Sequence, residues 1–337
     1  MMLFYHLFGI DNINELCKSF IYINHLPLAH YLSHATYPVS FFLILSGYGL
    51  THVYNHQGLS MAKQFKRILK IYINYWIILI IYIILASYIR AGYIKTDILH
   101  IVCNLTAFHC TWNGEVWFLF PYTILSLTAV FIIRKIYSLT TIKKACTYSI
   151  LYATTFILIK IIPFPEQRHI FICYIQVVFY IQLLFYFTLG VLMYIIYENG
   201  DIAVATISRK TPYALKLYHA KPICALLIIM AIKSLFKITI ADGIYAFIFI
   251  ILFNRIKINR HLKMVLMLLG RYSMQMWMIH TILCVYLFQD FIYSFKYPIM
   301  IFTILVIACF ISAYAISKIA NMVIKATACL ARQGSCP

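Results

Sequence analysis

Three cations, Lys66, Arg67 and Lys70, would share one helical face between two apolar segments. The chain reads FFLILSGYGL, then the basic run KQFKRILK, then the apolar IYINYW. Residues three or four positions apart lie on the same side of a helix. A guanidinium binds phosphate bidentately and ammonium groups add point charges, so this face can bind a phosphorylated ligand. The alternative interpretation is a plain cytoplasmic boundary, which a basic run between two spans also indicates.

A histidine, His6, lies in the apolar N-terminal stretch MMLFYHLFG. Ionisable groups at membrane depth are costly, about 2.5–3.5 kcal/mol for a charged residue on insertion scales, and therefore often have a function. Histidine is the side chain best suited to take a proton near neutral pH. His6 is thus a candidate general base that faces a bundle interior. The alternative is a histidine hydrogen-bonded to a neighbouring helix.

The acidic residue Glu115 stands at the start of the apolar run WFLFPYTILSL. A carboxylate there can complement the dipole of the helix that follows. It can also orient a catalytic histidine or hold a polar substrate, and both interpretations stay open. Trp117, two residues further on, offers an aromatic face on which a ring of the substrate can stack.

Composition places the whole chain in a membrane. Of its 337 residues, 64% are hydrophobic and 11% are charged, and the mean hydropathy is +0.87. Soluble domains carry about 25% charged residues. The apolar runs are long rather than alternating, which predicts an all-α, polytopic transmembrane helix bundle. The net charge of +19 would suggest nucleic acid in a soluble protein, but these cations gather at span junctions, so no nucleic-acid partner is expected.

No metal site is predicted. The ten cysteines lie mostly inside apolar runs and form no CxxC pair. His25, His30 and His34 are spaced by five and four residues, but in a polar loop that would hold a metal poorly. Cys103 and Cys110 could share an outer loop, which is weak evidence for a disulfide.

Nine apolar spans follow one another along a single membrane-embedded domain, 1–337. They are predicted near 38–57, 71–90, 116–133, 146–162, 169–197, 222–239, 244–254, 265–288 and 299–322. The longest polar connections are expected at about 10–37, 91–115 and 198–221. Every second junction is basic, which predicts that these junctions and the C-terminus are cytoplasmic.

The N-terminus needs one more span. The first full span must begin outside to bring the basic run inside, yet the stretch from Met1 to Ile10 is too short to cross a bilayer. We therefore expect Met1 to lie within a first span whose beginning is missing, which would give about ten spans in the complete protein.

Four features together resemble acyltransferase family 3, whose members are membrane proteins that transfer acyl groups. Members carry a histidine in the first span, which His6 in LFYHLF matches; the arginine that precedes it in members would lie upstream of Met1. Members end the second span with FF-x-LSG, which FFLILSG resembles with one residue more between Phe42 and Leu45; the matching residues are Phe41, Phe42, Leu45, Ser46 and Gly47.

The other two features follow in the family's order. The basic box RR-x-x-R-I-x-P-x-Y resembles a segment in which two arginines are lysines and Ile73 replaces proline; the matching residues are Lys66, Arg67, Lys70, Ile71 and Tyr75. The motif LG-x-x-S-x-x-x-Y-x-x-H resembles a segment with tryptophan for tyrosine; the matching residues are Leu269, Gly270, Ser273, Trp277 and His280.

The resemblance implies an O-acyltransferase of the bacterial cytoplasmic membrane. The acyl donor would be acyl-CoA, in most family members acetyl-CoA, bound on the face of Lys66, Arg67 and Lys70, with no further cofactor. The acceptor would be a hydroxyl of a surface glycan or its lipid-linked precursor. His6 would be the base, Glu115 its partner, and the substrate pocket would include Ser46, Trp117 and His280. The alternative function is a polysaccharide flippase, polymerase or other transporter.

Overall fold

A computed structural model of the protein describes residues 1–89, 97–160, 168–207, 212–236 and 241–333. The described chain is almost wholly helical. Its helices are α1 (Met2–Phe8), α2 (Ile13–Leu16), α3 (Leu28–His34), α4 (Val39–Gln57), α5 (Met61–Ile89), α6 (Ile98–Leu105), α7 (Leu119–Ser138), α8 (Thr141–Lys160), α9 (Arg168–Ile207), α10 (Pro212–Leu235), α11 (Asp242–Asn254), α12 (Arg260–Thr281), α13 (Gln289–Tyr293) and α14 (Pro298–Gln333).

Three short elements complete the described structure. A 3₁₀ turn at Gly114–Val116 precedes α7, and a π-helix at Ile282–Leu287 follows α12 directly. The strands β1 (Tyr22–Ile23) and β2 (Leu26–Pro27) pair in antiparallel register.

The described helices include four segments that are long and apolar enough to cross a membrane. These are Met61–Ile89, Gly114–Ser138, Phe171–Glu198 and Pro298–Thr327, and two shorter apolar segments are Pro222–Leu235 and Asp242–Asn254. The predicted polytopic membrane helix bundle is therefore confirmed. Each of the nine predicted spans overlaps a helix, although their ends at 90, 161–162 and 237–239 lie outside the described residues. The total of about ten spans stays a prediction.

The helices extend into segments that the sequence assigned to polar connections. The helix α5 begins at Met61, about ten residues before the predicted span. Ser60 caps its first turn, because its Oγ accepts a hydrogen bond from the Lys63 amide. The basic run consists of good helix formers, so it continues the helix rather than forming a loop. The helices α9 and α10 likewise extend to Ile207 and from Pro212, inside the predicted connection 198–221.

The chain divides into two compact units. Unit 1 consists of Met1, Tyr31–Gln64 and Pro121–Ile258; unit 2 consists of Met2–His30, Phe65–Phe120 and the described residues of Asn259–Pro337. In unit 1, α4 packs against α9, and α11 packs against both α4 and α10. In unit 2, α12 packs along α14, and the short helix α1 lies against both.

Two glycines let α4 and α9 touch through their backbones in unit 1. A Cβ atom on Gly47 would lie 2.1 Å from the carbonyl oxygen of Phe187. A Cβ atom on Gly190 would lie 2.1 Å from the carbonyl oxygen of Ile44. Small residues at such crossings permit the close packing on which membrane helices depend. The glycine of the segment FFLILSG therefore has a steric reason to be there.

Candidate active site

The position of His6 is set by the last turn of α1 in unit 2. Leu3 and Leu7 on that helix are buried. The carbonyl oxygens that a helix leaves unpaired at its end need donors. The Tyr293 hydroxyl donates to the Leu7 carbonyl at 2.8 Å, and the His30 ring lies 2.9 Å from the Phe8 carbonyl through its Nδ1. These bonds hold the turn that carries His6.

The His6 imidazole contacts the carboxylate of Glu115, and Nε2 lies 3.0 Å from Oε2. A carboxylate can only accept a hydrogen bond, so Nε2 carries a proton and donates it to Glu115. In the neutral ring, the lone pair then lies on Nδ1. The two side chains are about one-fifth and one-quarter exposed, with relative areas of 20% and 25%. The pair is therefore an oriented imidazole whose second nitrogen can act as a base.

The backbone around Glu115 is tied to the helical segment from α12 into the π-helix. The Trp277 indole donates to the Glu115 carbonyl at 3.2 Å. The buried Asn113 donates through Nδ2 to the Met278 carbonyl at 2.6 Å. The Tyr286 hydroxyl accepts from the Gly114 amide at 3.3 Å. Hydrogen bonds thus fix three consecutive residues, 113 to 115, up to the residue that carries the carboxylate.

A second set of bonds holds the loop that leads to Glu115. The Asn104 side chain accepts from the Trp112 amide at 3.0 Å and donates to the Thr111 hydroxyl at 2.8 Å. The buried Tyr75 hydroxyl, on α5, donates to the Asn104 carbonyl at 2.8 Å. Because α5 also carries Arg67, one rigid helix supports both the loop before Glu115 and the basic face.

The His280 ring completes a cluster with His6 and Glu115. Its centroid lies 4.9 Å from that of His6, and the residue is fully buried. Its Nδ1 lies 2.6 Å from the Trp277 carbonyl, so Nδ1 is the protonated nitrogen in the neutral ring. Its Nε2 is buried and has no hydrogen-bond partner in the described part of the chain. The π-helix that follows is an irregularity often seen at functional sites.

Aromatic rings support the same cluster. The Trp277 ring stacks on Phe118, with centroids 4.4 Å apart and planes 20° from parallel. Trp117 packs edge-on against Phe118 at 5.6 Å and is itself half-buried. The tryptophan that replaces a tyrosine in the LG-x-x-S segment thus both stacks and donates a hydrogen bond next to Glu115.

The three predicted phosphate-binding cations lie on α5 of unit 2. Lys66 and Lys70 are exposed, and Arg67 is half-buried. The shared helical face that the spacing predicts is therefore formed.

Ser46 belongs to unit 1, where its Oγ lies 3.0 Å from the Tyr122 hydroxyl. Its assignment to a substrate pocket stays a prediction, as do the roles of the other candidate residues.

The residues considered above for a disulfide and for a metal site can be described directly. Cys103 and Cys110 are free thiols. Burial raises the pKa of the Cys110 thiol to about 12. Among the described residues, no group of three or more His, Cys, Asp or Glu side chains could hold a metal ion. The candidate His30 instead bonds a backbone carbonyl in unit 2, and His34 bonds the Ser234 carbonyl in unit 1.

Sequence reasoning did not assign roles to three buried amides of unit 2, namely Asn74, Asn113 and Gln275. Each carries hydrogen bonds between separate chain segments. Asn113 lies two residues before Glu115, and that proximity could have identified it as a candidate. Asn74 and Gln275 could have been identified as amide side chains within apolar spans.

Together, the fold and site define a polytopic membrane protein with a histidine–carboxylate pair set among apolar helices. A model of the family described as acyltransferase domain matches residues 1–318. The chain therefore belongs to acyltransferase family 3 and is a membrane acyltransferase, which acts on an acyl donor and an acceptor. No curated protein matches the chain, and no solved structure does.

Proposed function

We propose that the protein transfers an acetyl group from acetyl-CoA to a hydroxyl of a cell-surface glycan or of its lipid-linked precursor. The observation that carries this proposal is the 3.0 Å contact between His6 Nε2 and Glu115 Oε2. A base oriented by a carboxylate is the arrangement that activates a hydroxyl for attack on an acyl carbon.

The proposed reaction begins when Nδ1 of His6 removes the proton of the acceptor hydroxyl. The oxygen attacks the thioester carbonyl and forms a tetrahedral intermediate. Glu115 stabilises the imidazolium that results, because its negative charge faces the protonated Nε2. The intermediate then collapses, the carbon–sulfur bond breaks, and the imidazolium returns its proton to the departing CoA thiolate. The products are the O-acetyl ester, free CoA and neutral His6.

The donor would reach this site from the basic face. Lys66 and Lys70 are exposed on α5, and the Arg67 guanidinium offers a planar fork that suits phosphate oxygens. Under this proposal the basic junctions and the C-terminus lie in the cytoplasm of a bacterium, where acyl-CoA is made. Residues 1–337 would act as one membrane-embedded acyltransferase domain.

The acceptor side would be formed by His280 and Trp117 of unit 2. The Nε2 atom of His280, which has no hydrogen-bond partner among the described residues, carries a lone pair next to His6. It can accept a hydrogen bond from a sugar hydroxyl, which would position that sugar. The Trp117 ring is half-buried and two residues from Glu115, so a sugar ring can stack on it.

The test is transfer of radiolabelled acetyl from acetyl-CoA to glycan in membranes that contain the protein or its variants. His6→Ala should lower the rate by about 10²–10⁴-fold, the usual contribution of a general base. His261→Ala is the matched control, since His261 is an exposed histidine on α12. Undiminished labelling with folded His6→Ala protein would contradict the proposal. A wild-type protein that moves glycan across vesicles without labelling it would favour the transporter alternative.

A further inference from the structure

A pair of buried amides, Asn74 on α5 and Gln275 on α12, lies within unit 2. Asn74 donates through Nδ2 to the Lys70 carbonyl at 2.7 Å. A carbonyl oxygen can only accept, so this bond fixes which end of the Asn74 amide is the oxygen. That oxygen, Oδ1, accepts from Gln275 Nε2 at 3.0 Å. The orientation of both amides therefore follows from one backbone carbonyl.

The arrangement leaves the Oε1 atom of Gln275 without a hydrogen bond. Gln275 is 7% exposed, and its Oε1 is buried with no partner among the residues that the structure describes. Buried polar atoms in folded proteins almost always have a partner, because an unpaired one carries its full desolvation cost. An acceptor that the described residues do not satisfy is available to a donor that a ligand brings.

The position of this acceptor along the bundle follows from α12, which carries Gln275, and from α5, which carries its partner Asn74. Asn74 lies four residues beyond Lys70 and seven beyond Arg67 on α5, which is about 6 and 10 Å along the helix axis. His280 lies five residues beyond Gln275 on α12, or about 7.5 Å. Further along, Tyr82 of α5 contacts Tyr286, with ring centroids 6.0 Å apart. The two helices therefore run in the same direction, and the amide pair lies between the basic face and the histidines.

The distance from the basic face to His280 matches the length of one part of the donor. From the cations to His280 the axial distance is about 14 to 18 Å. The pantetheine arm of CoA links the phosphates to the thioester through as many bonds as four to five extended residues, which reaches roughly 15 Å. That arm contains two amide groups, each with an N–H donor. An amide midway along the arm would meet a buried acceptor midway along that distance.

We propose that Gln275 Oε1 accepts a hydrogen bond from an amide N–H of the pantetheine arm of the acyl-CoA donor. The inference rests on the proposed function, since it needs an acyl-CoA on the basic face and a thioester near His6. Gln275 is then a positioning and specificity residue: it recognises the arm rather than the acyl group or the nucleotide. An acceptor sugar with an amide substituent offers the same N–H chemistry. The location of Gln275 on the basic side of His280 favours the donor.

The experiment distinguishes recognition of the pantetheine arm from recognition of the nucleotide. Gln275→Met keeps the length of the side chain and removes both amide atoms. We expect the KM for acetyl-CoA and the Ki of free CoA to rise about five- to tenfold, the loss typical of one buried hydrogen bond. The Ki of 3′,5′-ADP, which has phosphates but no arm, should not change, and kcat should stay within twofold. A general distortion of the site would raise both Ki values together.

Gln64→Met provides the matched control. Gln64 is another buried glutamine, and its Oε1 is already used, since it accepts from the Ser126 hydroxyl at 3.1 Å. Its substitution should leave all three constants unchanged. The wild-type protein supplies a second measurement that needs no variant. A CoA analogue with esters in place of both amides should inhibit about five- to tenfold more weakly than CoA.

The outcomes distinguish this inference from the proposed function. An unchanged Ki for CoA in folded Gln275→Met, or equal inhibition by CoA and the ester analogue, overturns the role of Gln275 while acetyl transfer stands. Parallel increases in the Ki of CoA and of 3′,5′-ADP also overturn it. A wild-type protein that neither transfers acetyl nor binds CoA overturns the proposed function, and this inference with it.

Discussion

Each unit of the molecule holds a pair of ionisable side chains among apolar helices, and the two pairs differ in access. In unit 1, the Lys233 ammonium contacts the Asp242 carboxylate, and both side chains are more than nine-tenths buried. In unit 2, His6 and Glu115 retain about a fifth and a quarter of their exposure. A buried lysine–aspartate pair neutralises its own charges inside the protein. An accessible imidazole–carboxylate pair can exchange a proton with a substrate.

The difference in access indicates which of the two ionisable pairs is a candidate for catalysis. The free-energy cost of burial alone does not distinguish them, since both pairs are costly to place among apolar helices. The pair in unit 1 bridges α10 and α11, which pack together, and so has a structural role. The pair in unit 2 leaves one nitrogen of His6 free of Glu115 and has a second imidazole, His280, beside it.

The largest expected effect on catalysis comes from the accessible pair, His6 and Glu115. Glu115→Gln keeps the size of the side chain and removes the charge that faces the His6 imidazolium. We expect kcat for acetyl transfer to fall by about 10²-fold or more, with folding preserved, because the carboxylate both orients and stabilises the base. The measurement is the rate of labelled acetyl transfer. Glu15→Gln, at an exposed glutamate of α2, is the control. A Glu115→Gln enzyme with the wild-type rate would remove the distinction between the two pairs.

Substitutions in the buried pair, Lys233 and Asp242, should change the stability of the protein rather than its catalytic rate. Lys233→Met leaves Asp242 buried without a partner, which we expect to lower the free energy of unfolding by about 3–5 kcal/mol. The double variant Lys233→Met/Asp242→Leu should recover most of that loss, since an apolar pair replaces an ionic one. Thermal unfolding in detergent measures both. A loss of kcat per folded molecule in the double variant would show that unit 1 also carries chemistry.

Substitution at the backbone contact between α4 and α9 should have a smaller effect on stability. Gly47→Ala places a methyl group against the Phe187 carbonyl, so the helices must separate, at a cost of about 1–3 kcal/mol. Gly49→Ala, two residues away on the same helix, meets nothing within 4 Å and should be neutral or stabilising by up to about 1 kcal/mol. Melting temperatures of the two proteins in one detergent compare them. Equal stability would mean that the close contact is not needed.

The smallest expected effect is on donor affinity at the basic face. Arg67→Gln should raise the KM for acetyl-CoA about tenfold with little change in kcat, since it removes a phosphate contact made equally in the ground and transition states. Lys63→Gln is the matched control, because the Lys63 ammonium already donates to the carbonyls of Gln57 and Gly58. Steady-state kinetics at low and moderate salt measures both. An Arg67→Gln enzyme with an unchanged KM would leave the basic face as a topology signal alone.

The sequence predicted the fold well where the signal is local. Long apolar runs specify helices directly, and each of the nine predicted spans overlaps one. The start of α5 was missed because the capping serine, Ser60, and the helix-forming cations after it outweigh the polarity of the run. Sequence hydropathy alone does not reveal that a helix continues beyond the apolar core.

The candidate site was predictable only in part. His6 and Glu115 stood out as ionisable residues at or beside apolar runs, and a pairing between them was one of three interpretations of Glu115. The contact itself joins residues more than a hundred positions apart, which no local pattern encodes. The bond between Asn74 and Gln275 joins residues even more distant in sequence and involves amides with no charge to draw notice. Such pairings depend on helix packing, which a single sequence does not specify.

The most direct test is a double-mutant cycle of His6→Ala and Glu115→Gln, measured as the rate of acetyl transfer by folded protein. If the carboxylate acts only through the imidazole, His6→Ala alone should lose about as much activity as the double variant. The account therefore predicts strong non-additivity, with Glu115→Gln causing little further loss once His6 is removed. Independent losses that multiply, or a His6→Ala enzyme that transfers acetyl at the wild-type rate, would contradict it.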